Sequence, residues 1–399
     1  MIEAEQEVTM DNFVHDIPTK YYFGKGSIDH LPSALKQYGT TVLLTYGGGS
    51  IKRTGLYDTV MKMLTENGFI IVECGGVEPN PRIETVARGA LLCRQHHVDV
   101  VLSVGGGSTL DCAKAIACGA YYPGVDFWQM VLDGKECRKA LPLVDIITLA
   151  ATGSEFDSGG VITNLATKQK VGSSFTFPQV SIADPTYTFS VPAYQTAAGS
   201  ADIMSHIMEG YFNRVTNVDL SDAIEEGILK SVIRNLPIAL KNPQDYEARA
   251  NLLWDSSIAC SGMPAYGQRY TGWSCHAMEH ELSAFYDITH GVGLAILTPR
   301  WLEYIMTKDA TVTPRIAQFA RNVWDIQEAD DDKAARMGIQ ALHDFFKAMG
   351  IPMTLTEVGI DDLHFEDMAH DLEVVRGGLL KAYVPLTHDD IVAIYRMCL

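Results

Sequence analysis

A chain of 399 residues with 47% hydrophobic and 20% charged side chains has the balance of a folded globular protein, and it is too long for one simple core, so two domains are expected. With 49 acidic against 31 basic residues the net charge is −18, and the lack of any basic stripe excludes a nucleic-acid partner. The eight cysteines form no CxxC pair, which fits reduced thiols in the cytoplasm rather than a disulfide framework, and no apolar run approaches the roughly 20 residues of a membrane span.

The chain opens on the acidic MIEAEQEVTMDNF, which lacks the apolar centre of a secretory signal, so none is expected. Four β-branched runs then read as buried strands: TVLLTY at 41–46, FIIVEC at 69–74, VDVVLSV at 98–104 and VDIITLA at 144–150. Between them, TGLYDTVMKMLTENG and IETVARGALLCRQHH carry helical apolar spacing and stop at glycine or histidine, as helix C-termini often do. Strand, helix, strand in that order predicts βαβ units and a parallel sheet, with VSIADP at 180–185 as the last strand to leave it. Past Pro192 the texture turns to successive helical segments such as SDAIEEGILKSVIRNLPIAL, YEARANLLWDSSIAC and DKAARMGIQALHDFFKAMG. The expected architecture is an α/β domain over residues 1–192 and a helical domain over 193–399.

Two glycine clusters follow predicted strands. In VVLSVGGGSTLDCAK, Gly105, Gly106 and Gly107 lead into a helix near Ser108. Glycines let the backbone approach a ligand, and the helix N-terminus offers unpaired N–H groups and a positive dipole end, so this is an anion site suited to a dinucleotide pyrophosphate. Leu110 stands where a third glycine of GxGxxG would be, so the turn could also be a plain strand-to-helix connection. In TYGGGSIKRTG no acid stands at the strand end; Gly48 leaves room, Ser50 offers a hydroxyl, and Lys52 and Arg53 supply positive charge. That pattern suits the 2′-phosphate of NADP rather than the free ribose of NAD.

The helical half holds a third constellation. Asp202 and His206 share one helical face at i, i+4, as do His276 and His280, and His290 follows ten residues later. Buried among apolar neighbours, Asp202, His206, His276 and His290 make a one-oxygen, three-nitrogen ligand set for Zn²⁺ or Fe²⁺, with room for a substrate oxygen. His280, on the same side, is placed to carry a proton.

These stretches together resemble the iron-containing (group III) alcohol dehydrogenase family, in particular its NADPH-dependent butanol dehydrogenase branch. The resemblance runs from YYFGKGS near residue 21 to THGVGLAILTP near 299, through VEPNP at 77–81, GGGSTLDCAK at 105–114, ATGSE at 151–155, SIADPTYTFSVPAYQTAAGSADIMSHIME at 181–209 and WSCHAMEHELSAFYDITHGVG at 273–293. It implies a dinucleotide-binding domain with a parallel sheet, an all-helical metal-binding domain as in the dehydroquinate synthase-like fold, and an active site in the cleft between them. It assigns Asp202, His206, His276 and His290 to one divalent metal and His280 to the site beside it. For the cofactor it implies Gly105, Gly106, Gly107, Ser108 and Asp111 at the pyrophosphate, with Asn80, Thr148, Thr152, Lys170 and Tyr187 as further contacts. Asp157 stands where some relatives carry asparagine near the nicotinamide ribose. The implied activity is hydride transfer between NADP(H), or NAD(H) as the alternative, and short-chain primary alcohols or aldehydes, by a cytoplasmic homodimer with no nucleic-acid or membrane partner. Trp273, Phe285 and Phe156 are the expected walls of an apolar substrate pocket. Polyol oxidation or dehydroquinate synthase-like cyclisation are the alternatives on this plan, and a non-catalytic metal or nucleotide binder is the alternative outside it.

Overall fold

The β-branched runs of the first half become strands in the computed structural model, which describes residues 10–215, 217–269 and 272–399. In chain order they are β1 (Lys20–Phe23), β2 (Thr41–Gly47), β3 (Ile70–Val77), β4 (Val100–Gly105), β5 (Leu143–Ile147), β6 (Gly159–Asn164), β7 (Gln169–Ser174) and β8 (Val180–Ala183). Six of them form one parallel sheet in the order β1-β8-β5-β4-β2-β3. Helices α1 (Leu31–Lys36), α2 (Ser50–Arg53), α3 (Leu56–Glu66), α4 (Ile83–Gln95), α5 (Gly107–Gly119) and α6 (Phe127–Leu132) complete this half. Because successive side chains alternate across a strand, Leu43 and Val101 join α4 and α5 in one apolar layer, whereas Val42, Leu44, Val100 and Leu102 join α1 and α3 in the other. Buried on both faces, β4 and β5 read as mostly apolar runs, broken by Ser103 and by Asp145, whose Oδ2 accepts from Ser181 Oγ at 2.9 Å.

Strand order locates the ligand site. The chain runs from β2 outward to β3, then returns to β4 on the other side of β2. Ligands of open parallel sheets bind at the carboxyl ends of the strands flanking such a reversal. The two glycine turns, after β2 and after β4, therefore lie side by side.

After β8 the chain is helical: α7 (Ala193–Tyr211), α8 (Asp219–Lys241), α9 (Tyr246–Ala259), α10 (Ser274–Tyr286), α11 (His290–Lys308), α12 (Thr313–Trp324), α13 (Asp331–Ala348), α14 (Phe365–Arg376) and α15 (His388–Met397). They enclose a single large apolar cluster that includes Tyr211, Phe212, Trp301, Phe319 and Tyr395. Among the described residues no helix is long and apolar enough to cross a membrane.

Three details depart from the sequence reading. The strand expected at 144–150 stops at Ile147, because Thr148 turns out of the sheet while its N–H still reaches Gly105 O at 2.9 Å. Strand β1 and the antiparallel β6–β7 hairpin were not expected; the hairpin turns at Lys168, which takes a positive φ of 51°. Finally, Cys118 and Cys137 are joined by a disulfide where reduced thiols were expected. The segment after α6 folds back on the C-terminus of α5 and brings the two Cα atoms to 6.1 Å, a separation that scattered positions in the sequence do not announce.

Candidate active site

A cleft of about 2110 Å³ opens over the carboxyl ends of β2 and β4 and continues to the N-terminal turns of α10 and α11. Gly48, Ser50, Asn80, Gly106, Gly107, Ser108, Asp111, Thr148, Thr152, Lys170 and Tyr187 all line it, as do Asp202, His206, His276, His280 and His290. Gly105 lies beneath, as the last residue of β4; a Cβ there would stand 2.5 Å from Thr109 Oγ1. Gly106 caps α5 in extended conformation and its carbonyl accepts from Thr109 N and Leu110 N, which leaves the amides of Gly107 and Ser108, both lining the cleft, without intrahelical partners. A side chain at Gly107 would collide with Thr152 Oγ1, so only glycine lets the ATGSE turn close over the helix start.

Several candidates at this end do something more than face the cleft. Both oxygens of Asp111 are engaged: Oδ1 accepts from Ser154 Oγ at 2.7 Å and Oδ2 from Val161 N at 2.9 Å, which ties α5 to the ATGSE turn and the hairpin. Burial raises its carboxyl to about 6 against the opposing charge of Lys114. Lys114, fully buried, donates to Asp157 Oδ1 and to Gly159 O, each at 2.7 Å, so Asp157 is held as the partner of a buried cation at the cleft wall. Lys52 departs from the expectation. Its ammonium sits 4.8 Å from the ring centre of Tyr46 and 4.5 Å from that of Tyr57, beside Glu73, and it does not reach the cleft; Arg53 does.

At the other end, Nε2 of His206, His276 and His290 lie 3.5, 3.7 and 3.6 Å from Oδ1 of Asp202. Ligands about 2.1 Å from a tetrahedral metal stand about 3.4 Å apart, so this spacing fits one ion. The donor atoms of Asp202, His276 and His290 also lie within 4.8 Å of one another; His206 stands outside that trio, near Asp202 and stacked on His276 at 4.9 Å. Asp202 Oδ1 and His276 Nε2 are buried without a hydrogen-bond partner, the condition of atoms shaped to hold something that is not protein. Burial holds His206 down at about 4, a neutral imidazole ready to ligate. Burial also acts to lower His276, but the neighbouring carboxylates of Asp202 and Glu209 raise it to about 9.

Glu209 and Glu279 were missed from the sequence. Nδ1 of His276 donates to Glu209 Oε1 at 3.1 Å, and Nδ1 of His290 donates to Glu279. Each carboxylate fixes its imidazole in the tautomer that turns Nε2 toward Asp202. The signal was available: His206-x-x-Glu209 and His276-x-x-Glu279 are the same spacing on two helices, with each glutamate serving another element's histidine. Lys170 reaches this network from β7, its ammonium 3.3 Å from Glu279 Oε2 and 3.0 Å from Ser283 Oγ. Phe285 also departs from expectation: it packs on His364 at 5.5 Å with Lys168 over its ring, whereas Phe156 and Trp273 do line the cleft.

The approach of α7 to α11 depends on Gly291, where a Cβ would run into the carbonyl oxygen of Ala198. Gly291→Ala is expected to destabilise the fold by about 1–3 kcal/mol through overpacking, and to spread His290 from Asp202. Thermal melts and metal per chain after dialysis check this; a variant unchanged in both would contradict the packing account.

Two family descriptions together span this chain: iron-containing alcohol dehydrogenase over residues 18–185, and the C-terminal region of the same family over residues 196–399. NADH-dependent butanol dehydrogenase A of Clostridium acetobutylicum is 48% identical over 390 residues, 97% of this chain and 99% of that protein. NADPH-dependent aldehyde reductase YqhD of Escherichia coli is 38% identical over 369 residues, 91% and 93% of the two chains. The crystal structure of NADH-dependent butanol dehydrogenase A from Thermotoga maritima superposes with a TM-score of 0.93 at 37% identity, over 98% of this chain and 99% of that one. The butanol dehydrogenase branch is the expected one, but the butanol dehydrogenases matched are named NADH-dependent, and NADPH stands in the name of the aldehyde reductase. The cleft, its two glycine turns and the overall match lead to one conclusion: the chain belongs to the iron-containing alcohol dehydrogenase family and is an NAD(P)-dependent alcohol dehydrogenase.

Proposed function

We propose that this enzyme reduces short-chain aldehydes to primary alcohols, and runs the reverse reaction, with NADP(H) preferred and one Fe²⁺ or Zn²⁺ held by Asp202, His206, His276 and His290. The observation that carries the reading is the convergence of three imidazole Nε2 atoms on one unpartnered Asp202 oxygen, at the end of the cleft into which both glycine turns open. A divalent ion held there supplies Lewis-acid polarisation of the substrate oxygen. Everything else is positioning by the protein. The amides at the start of α5 receive the pyrophosphate, Phe156 and Trp273 give the substrate apolar walls, and the cleft aligns the carbinol carbon with the nicotinamide. His280 stands beside His290, ring centres 5.8 Å apart, placed to pass a proton to or from the substrate oxygen.

On this reading the dinucleotide half spans residues 1–192 and the metal half 193–399, and the enzyme works as a cytoplasmic homodimer. The edge position of β1, which ends on the exposed Phe23 against the exposed Trp254, supports pairing with a second copy. Preference for NADP(H) is supported by Ser50 and Arg53 on the cleft wall beside Gly48, with no carboxylate among residues 47–53.

Loss of NADPH absorbance on adding butanal tests the reading; a metal-loaded, folded enzyme that leaves the absorbance unchanged contradicts it. His280→Ala is expected to retain metal while slowing turnover on the order of 10²-fold, the usual contribution of a positioned proton carrier. Metal analysis beside steady-state kinetics checks it, and metal loss in this variant would move His280 into the ligand set.

A further inference from the structure

At the mouth of the cleft the loop after β3 meets the turn between α10 and α11. Asn80 Nδ2 donates to Asp287 Oδ1 at 2.9 Å, and Arg82 Nη2 donates to the same oxygen at 3.1 Å. Asn80 and Asp287 both line the cleft. Asp287 caps α10 three residues before His290, so one side of this contact is continuous with the metal end. The other side is anchored to the hairpin, where Thr163 N donates to Pro81 O at 2.8 Å and Arg82 bridges Thr163. Both partners hold a left-handed backbone, with φ of 52° at each, which asparagine and aspartate tolerate better than most residues.

An ionised carboxylate has no proton to give, so the Asn80 atom facing Asp287 is its NH₂ group. The amide carbonyl oxygen is then the atom left to face the cleft. Since an exposed ion pair contributes little stability by itself, the value of this contact lies in what it orients. We propose that Asp287 is a positioning residue for the cofactor: it fixes the Asn80 amide so that an acceptor oxygen meets a hydroxyl or amide donor of the nicotinamide dinucleotide, and it ties that loop to the turn carrying His290. The proposal rests on the nicotinamide-dependent reading above.

The test measures NADPH dissociation constants by protein fluorescence for metal-loaded, full-length enzyme. Asp287→Gly permits the left-handed backbone but removes the acceptor, and is expected to weaken binding about 3–10-fold, the usual range for one lost hydrogen bond. Asp287→Asn keeps an acceptor and the backbone preference, and is expected to stay within about twofold of the parent, which a purely electrostatic role would not allow. Asn80→Gly, which removes the acceptor oxygen itself, should lose at least as much as Asp287→Gly, and the double variant should lose no more than Asn80→Gly alone, because Asp287 acts through Asn80. Metal content should stay at that of the parent throughout. Should Asp287→Gly not fold, Asn80→Gly reports on the same bond from the other loop. Parent-like binding by either glycine variant, or fully additive losses, would overturn the proposal alone. A parent that binds no nicotinamide nucleotide would overturn the functional reading and this proposal with it.

Discussion

His276→Ala is expected to abolish metal retention and to lower turnover on the order of 10³-fold or more, since Lewis-acid polarisation is worth several kcal/mol and each 1.36 kcal/mol is tenfold in rate. The imidazole is buried at the N-terminal end of α10, with its Nε2 unpartnered and its Nδ1 held by Glu209. Removing it opens one ligand position and leaves the buried Asp202 carboxylate with one fewer neighbour to balance it. Glu209→Gln should be milder, weakening metal binding by about 10–100-fold, as changes to a ligand's supporting partner do. Metal per chain by elemental analysis, beside aldehyde reduction, checks both. A His276→Ala enzyme with full metal and full activity would remove His276 from the site.

Gly48→Asp is expected to reverse the nicotinamide preference. Nothing lies within 4 Å of a Cβ built at Gly48, so the carboxylate enters without displacing its surroundings. It would repel a 2′-phosphate and accept from a free 2′-hydroxyl. If the parent prefers NADPH as proposed, Arg53 and Ser50 would have to recognise the phosphate, since Lys52 is turned onto Tyr46 and Tyr57. A charge-assisted contact contributes roughly 1.5–3 kcal/mol, so the parent should favour NADPH over NADH by about one to two orders of magnitude in kcat/KM. The ratio measured for both proteins decides the matter. A parent without NADPH preference, or a ratio unmoved by Gly48→Asp, would mean that Arg53 is merely solvated; the NADH-dependent names of some relatives make that comparison informative.

The parallel sheet could be read from sequence because strands buried on both faces, such as β4 and β5, are rich in apolar β-branched residues despite Ser103 and Asp145. The short edge strand β1 and the hairpin carry no such run, since their residues alternate or stay half exposed, and they were not seen. The candidate ligands stood out because Asp202, His206 and His276 are polar side chains on otherwise apolar helical faces. What the sequence could not show was direction. Lys52 and Arg53 are adjacent and alike, yet one turns to an aromatic pair and the other to the cleft. Trp273 caps the start of α10 and Phe285 sits in its last turn, yet only Trp273 faces the site. Side-chain direction of this kind depends on neighbours contributed by distant segments, such as His364 beneath Phe285.

Metal reconstitution tests the central claim most directly. Chelator-treated enzyme, shown by circular dichroism to remain folded, is titrated with ferrous ion under exclusion of oxygen, and in parallel with zinc, while NADPH oxidation by butanal is followed. Activity should be absent without metal and rise to a plateau at one equivalent per chain with at least one of the two ions. Full activity in metal-free enzyme, or a plateau that never appears with either ion, would contradict a catalytic metal at Asp202, His206, His276 and His290.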